Sequence, residues 1–215
     1  INVTATVTDR TGRFLDGLTK EDFVVFEDNQ PVEISHFSAE RTPVSLGIVL
    51  DTSGSMQGEK WYAARDAIDK FLQRLTNPED DFFLYRFSAG PDLVQDWTSD
   101  RRALTYSLGR VSPNGGTAMY DGITLGLSML LSHQATNPTA KPLLIVLTDG
   151  ETNEGYTLSD VQATIGGLRI PVYTVGFEAN LDELGKLSSL VEAATINASE
   201  EDVEFKISAL FNAGT

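Results

Sequence analysis

The sequence predicts an α/β protein: a doubly wound, mostly parallel central sheet with one antiparallel edge strand, preceded by a small N-terminal β appendage. Three observations carry that expectation. From Pro43 onward, short apolar runs alternate with stretches of helical apolar spacing, the pattern of βαβ units. Two of those runs, residues 44–50 and 143–148, read as buried strands, and each leads directly into an aspartate. The first 42 residues instead alternate apolar and polar positions between turn signals.

In the appendage, residues 2–8 set Val3, Ala5 and Val7 against Asn2, Thr4, Thr6 and Thr8, a half-buried strand that ends at the turn Asp9-Arg10-Thr11-Gly12. Asp16-Gly17 and Asp28-Asn29 mark two further turns, with short strands expected at residues 23–27 and 32–37. The domain boundary therefore falls between residues 1–42 and residues 43–215. In the second part, strands are expected at residues 44–50, 82–88, 93–97, 143–148, 172–177 and 194–197. The 93–97 strand follows the Gly90-Pro91 turn so closely that it should pair antiparallel, at an edge. Trp61, Ala64, Ile68, Phe71, Leu72 and Leu75 recur at helical spacing, as do Met119, Ile123, Leu127, Leu130 and Leu131. Two more helices are expected at residues 101–108 and 159–168.

The chain has 215 residues and 41% hydrophobic content, enough for a packed core without staples. Its formal net charge of -15 repels phosphate backbones and anionic lipid, which argues against nucleic acid and favours cations and basic partners. With no cysteine there are neither disulfides nor thiolate metal sites. No apolar run approaches the roughly 20 residues that span a bilayer. The start at Ile1, with no basic-then-apolar leader, is what a processed or trimmed piece would show.

The chemistry concentrates in three strings. Asp51-Thr52-Ser53-Gly54-Ser55-Met56 follows the first buried strand, delivering a carboxylate and two hydroxyls to the carboxyl edge of the sheet, where open α/β folds put their sites. Asn114-Gly115-Gly116-Thr117 stands immediately before a helix, and its glycines permit a backbone path that brings the Thr117 hydroxyl to the same edge. Thr148-Asp149-Gly150 ends another buried strand. Adjacent strands lie about 5 Å apart, so Asp51 and Asp149 can share one ion. This is an oxygen-only set of two carboxylates and three hydroxyls, which suits Mg²⁺ or Mn²⁺ rather than zinc and leaves room for a ligand from elsewhere.

The spacing Asp51-x-Ser53-x-Ser55, with Thr117 after a glycine pair and Asp149 in a Thr-Asp-Gly string, resembles the metal-ion-dependent adhesion site of the von Willebrand factor type A family, over roughly residues 43–211. That resemblance implies helices on both faces of the sheet and a metal at its upper edge. Ser53, Ser55 and Thr117 would ligate the cation through hydroxyls, with Asp51 and Asp149 acting largely through water. It further implies a protein partner whose Asp or Glu completes the coordination, no catalysis, an extracytoplasmic setting, and a shift of the last helix, residues 199–211, on ligand capture. The string from Asp22 to Asp28 is similar to segments preceding this domain in bacterial secreted or membrane-tethered members.

Rival readings exist for each string. Asp51 to Ser55 alone can be a helix-capping turn, Thr117 alone an N-cap and Asp149-Gly150 alone a turn. Asp121 is expected to serve the helix dipole rather than the site, Glu151 and Glu154 to be solvated loop acids, and His36 and His133 to be surface or appendage residues. Asp51-Thr52-Ser53-Gly54 resembles the aspartic-protease string, but that fold is all-β. An aspartyl phosphatase would carry a second Asp where Ser53 stands, and a serine hydrolase lacks a persuasive base here. A hydrolase, or a scaffold with a non-functional metal site, remains the alternative to a binding module.

Overall fold

The computed structural model describes residues 5, 7, 9–10, 17–39, 43–74, 78–150, 155–165, 170–177 and 195–197. The expected strand at residues 2–8 and the expected last helix at 199–211 lie outside this set. Eight strands and four helices are described, in the order β1 (Val25–Glu27), β2 (Gln30–Val32), β3 (Val44–Asp51), α1 (Glu59–Arg74), β4 (Asp81–Phe87), β5 (Pro91–Thr98), α2 (Arg101–Leu108), α3 (Met119–Thr136), β6 (Lys141–Thr148), α4 (Leu158–Ile165), β7 (Val172–Gly176) and β8 (Thr195–Asn197).

Strands β3 to β8 form one six-stranded sheet in the order β5-β4-β3-β6-β7-β8, parallel except for the antiparallel pair β4 and β5. The edge strand is therefore where its short connection required it. It starts with Pro91, carries Asp92 and Asp96, and pairs irregularly with β4, all of which discourage further pairing along that edge. β3 sits at the centre and is buried at every residue, as a strand flanked and covered on both sides must be.

Two cores follow from strand alternation. Leu46, Ile48 and Leu50 of β3 join Leu143, Ile145 and Leu147 of β6 beneath Trp61, Ile68 and Phe71 of α1 and Leu104 and Leu108 of α2. On the opposite face, Val49, Phe87, Leu144 and Val146 meet Ile123, Leu127 and Leu130 of α3 and Val161 of α4. Helices thus cover both faces. α3 approaches the sheet closely because Gly122 and Gly126, four residues apart, face it; a β-carbon at Gly126 would stand 2.8 Å from Val49 and 2.9 Å from Leu144.

β1 and β2 make a separate antiparallel hairpin, Val25 opposite Val32, around a two-residue turn. Asp28 and Asn29 both take positive φ, 49° and 62°, as that tight reversal demands. The strand expected at residues 32–37 is corrected: strand pairing ends at Val32, because its antiparallel partner strand begins only at Val25. The chain beyond Val32 instead brings the Phe37 ring to 5.5 Å from that of Phe23. His133 also departs from expectation. It is partly buried, stacked on Trp97 at 3.7 Å, with Nε2 2.5 Å from Asp81 Oδ2 at the start of β4. The ring is held between an aromatic of β5 and a carboxylate of β4. His36 is exposed.

Gly47, in the middle of β3, is enclosed: a β-carbon there would lie 2.6 Å from Phe83 Cζ and 2.8 Å from Leu144 Cδ1. Gly47→Ala should destabilise the domain by about 1–3 kcal/mol in urea unfolding, since both neighbours are fully buried and have no space to retreat. An unchanged midpoint would show that this packing is looser than described.

Candidate metal site

Parallel pairing sets the site. Register places Leu50 opposite Leu147, so that Asp51 and Thr148 emerge together at the carboxyl edge of adjacent strands. Asp51 is fully buried and Asp149 almost so, at 0% and 1% exposure. Each oxygen of Asp51 has a donor: Ser53 N–H donates to Oδ1 at 2.8 Å, and Thr148 Oγ1 donates to Oδ2 at 2.7 Å. The Thr148 hydroxyl in turn accepts from Gly150 N–H at 3.0 Å, so one side chain fixes both the carboxylate and the turn that follows Asp149. Burial holds the Asp51 carboxyl above its ordinary pKa; the Ser53 and Thr148 hydrogen bonds oppose this, and the nearby Asp149 charge adds to it.

The turn after Asp51 brings Ser53 Oγ and Ser55 Oγ to 3.0 Å from each other. The third string is stitched to the same edge by backbone hydrogen bonds. Asn114 N–H donates to Thr52 O at 2.7 Å, Gly54 N–H to Gly115 O at 3.0 Å, and Ala118 N–H to Ser88 O at 2.6 Å. Gly115 takes φ of 83°, the conformation that its place in the string calls for. Thr117 lies between these anchors and is 3% exposed. Asp51, Ser53 and Ser55 are thus in direct contact, Asp149 is close enough to act on the Asp51 charge, and Thr117 is carried to the same edge by its loop.

Asp121 stands apart from this set: its carboxylate accepts from Tyr156 N–H, tying the first turn of α3 to the loop before α4. Glu151 and Glu154 lie outside the described residues. Sequence reasoning missed two contributors. Thr148 was visible only as the end of a strand, and Lys60, in the first turn of α1, places Nζ 3.4 Å from Asp149 Oδ2. His133, bonded to Asp81 at the opposite edge of the sheet, is not available to Ser53 or Ser55 as a base.

The donor set fits a small hard cation. Neighbouring ligands of a near-octahedral ion bound at about 2.1 Å stand about 3 Å apart, which is the separation of the two serine hydroxyls. Among the described residues no cluster of three or more His, Cys, Asp or Glu side chains forms a metal site, so any ion here would depend on hydroxyls.

Residues 45–211 match the von Willebrand factor type A domain model. The chain belongs to that family. VWA domains are generally protein-interaction modules. Inter-alpha-trypsin inhibitor heavy chain H1 of Mesocricetus auratus is 32% identical over 168 residues, 69% of this chain but 18% of that protein. The chain therefore spans about a fifth of the length of the curated relatives it matches. The fold is shared with a von Willebrand factor type A structure from Catenulispora acidiphila (TM-score 0.61, 22% identity, 80% of this chain and 42% of that one). It is shared also with an aerotolerance-related membrane protein from Bacteroides fragilis (TM-score 0.65, 20% identity, 79% and 97%).

Thr148→Val keeps the shape of the side chain but strips the donor from Asp51 and the acceptor from Gly150. It should cost about 1–3 kcal/mol in chelator-treated protein, read by thermal denaturation, with Thr148→Ser recovering most of the loss. Equal stability of the valine variant would show that this hydroxyl does not anchor the carboxylate.

Proposed function

We propose that this VWA domain is a divalent-cation-dependent protein-binding module, whose site is Asp51, Ser53, Ser55, Thr117 and Asp149 and whose ion is Mg²⁺ or Mn²⁺. The observation that carries the reading is the pair of serine hydroxyls 3.0 Å apart beside a buried, fully hydrogen-bonded carboxylate. Ser53, Ser55 and Thr117 would hold the ion through hydroxyl oxygens, and Asp51 and Asp149 would balance its charge. When bound, the ion supplies an electrophilic position for an Asp or Glu side chain of a partner protein. Because hydroxyls neutralise less charge than carboxylates, that position retains its attraction for an incoming anion.

The protein's own residues do the rest. Thr148 and Ser53 N–H fix the Asp51 carboxylate, and the stitched loop at residues 113–118 fixes Thr117. The division into residues 1–42 and 43–215 belongs to the same proposal and is supported by a family match that begins at residue 45. So does an extracytoplasmic location, which rests on the family resemblance alone.

Metal binding should raise the melting temperature by mass action. At a free Mg²⁺ concentration tenfold above Kd the gain is about 1.4 kcal/mol, or about 3–6 °C for a domain of this size. Asp51→Asn should abolish that rise while leaving the melting temperature in chelator unchanged or higher, because it removes a buried charge whose ionised form the fold disfavours. Capture of a carboxylate-bearing partner should likewise need Mg²⁺ and Asp51. A wild-type domain indifferent to millimolar Mg²⁺ and Mn²⁺ would instead be a scaffold.

A further inference from the structure

Lys60 is poorly placed by the logic of its own helix. It is the second residue of α1, where the helix macrodipole disfavours a cation. The positions that would offer it a helical partner, Gln57, Ala63 and Ala64, carry no carboxylate. Lys70 of the same helix, by contrast, makes an ordinary exposed pair with Asp66 at 2.9 Å. The partner of Lys60 is distant in sequence: Asp149 at the end of β6, with Nζ to Oδ2 at 3.4 Å. Asp149 is 1% exposed and Lys60 22% exposed, so the ammonium enters the carboxylate's pocket from the rim.

We propose that Lys60 is a tethered cation that competes with the metal for Asp149. Its ammonium holds Asp149 while the two buried carboxylates lack an ion, easing the repulsion between Asp51 and Asp149. With a divalent cation among Ser53, Ser55 and Thr117 the ammonium would be repelled, and its flexible four-carbon stem would let it swing to the rim. Metal affinity is thereby set below what the oxygens alone would give. The displaced charge then stands beside the position where an acidic partner docks. This inference rests on the metal reading above and adds to it a residue that sets the affinity and favours anionic partners.

Calorimetric titration with Mn²⁺, on the whole chain, tests it with wild type, Lys60→Met and Lys60→Arg. The methionine keeps the length of the stem and loses the charge, and should bind Mn²⁺ about tenfold more tightly; part exposure of Lys60 limits the effect to that scale. Arginine should stay within about threefold of wild type. Far-UV circular dichroism and melting in chelator establish that each variant is folded. Equal or weaker binding by Lys60→Met overturns this inference while leaving the metal site intact. Absence of binding by both wild type and Lys60→Met overturns the metal reading and this inference with it.

Discussion

A fully buried carboxylate is tolerable only if its oxygens are satisfied, and in this domain the backbone of Ser53 serves one oxygen of Asp51 and a hydroxyl from the neighbouring strand serves the other. Thr148 donates to Asp51 Oδ2 across the β3–β6 pair and accepts from Gly150. The contact exists because parallel register brings the two strand ends level, and register is fixed by the apolar residues that alternate into two cores. A slip of one residue would exchange the faces of β6 and separate Thr148 from Asp51. The geometry of the site is thus a consequence of core packing several residues away, and packing errors in β3 or β6 should be felt at the carboxyl edge.

The second constraint is the seating of α3. Gly122 and Gly126 let this helix lie against Val49, Phe87 and Leu144 with no side chain of their own between. The start of the helix is then pinned by Ala118 N–H to Ser88 O, and its first turn by Asp121 to Tyr156. Thr117, the residue before Ala118, is positioned in part by these contacts. Rigid elements therefore hold the oxygens that the proposed ion would need, which limits the ordering cost of binding it.

What the sequence revealed and what it hid divide along physical lines. The strand cores and helices were legible because burial on one or two faces imposes a period, and α2 lies at its expected bounds, where the structure shows Asp100 capping it through Arg102 N–H. The five proposed site residues stood out as company, three strings of oxygen-bearing residues, two at strand ends and one ahead of a helix. Partners contributed by tertiary contact were not. Nothing local marks Thr148 as the donor to a carboxylate 97 residues away, or Lys60 as the neighbour of Asp149. The same holds for His133, whose aromatic and acidic partners come from β5 and β4. The strand expected at residues 32–37 failed for a related reason, since strand existence depends on a partner and β1 begins only at Val25.

Charge raises a difficulty for the proposed function that magnitudes resolve. A chain of formal net charge -15 should repel an acidic partner. At physiological ionic strength, however, exposed charges are largely screened beyond about 8 Å, so the global field reaches an approaching carboxylate only weakly. Within the site the balance is different, because Asp51 and Asp149 are withdrawn from solvent and the Ser53 and Ser55 hydroxyls stand 3.0 Å apart beside Asp51. A cation held there, with Lys60 beside it, would reverse the sign of the potential over the few ångströms that matter for coordination. Selection on this reading falls to direct contact rather than to steering. On the proposed function, an acidic domain that binds acids then involves no contradiction: the electropositive position would exist only with metal in the site.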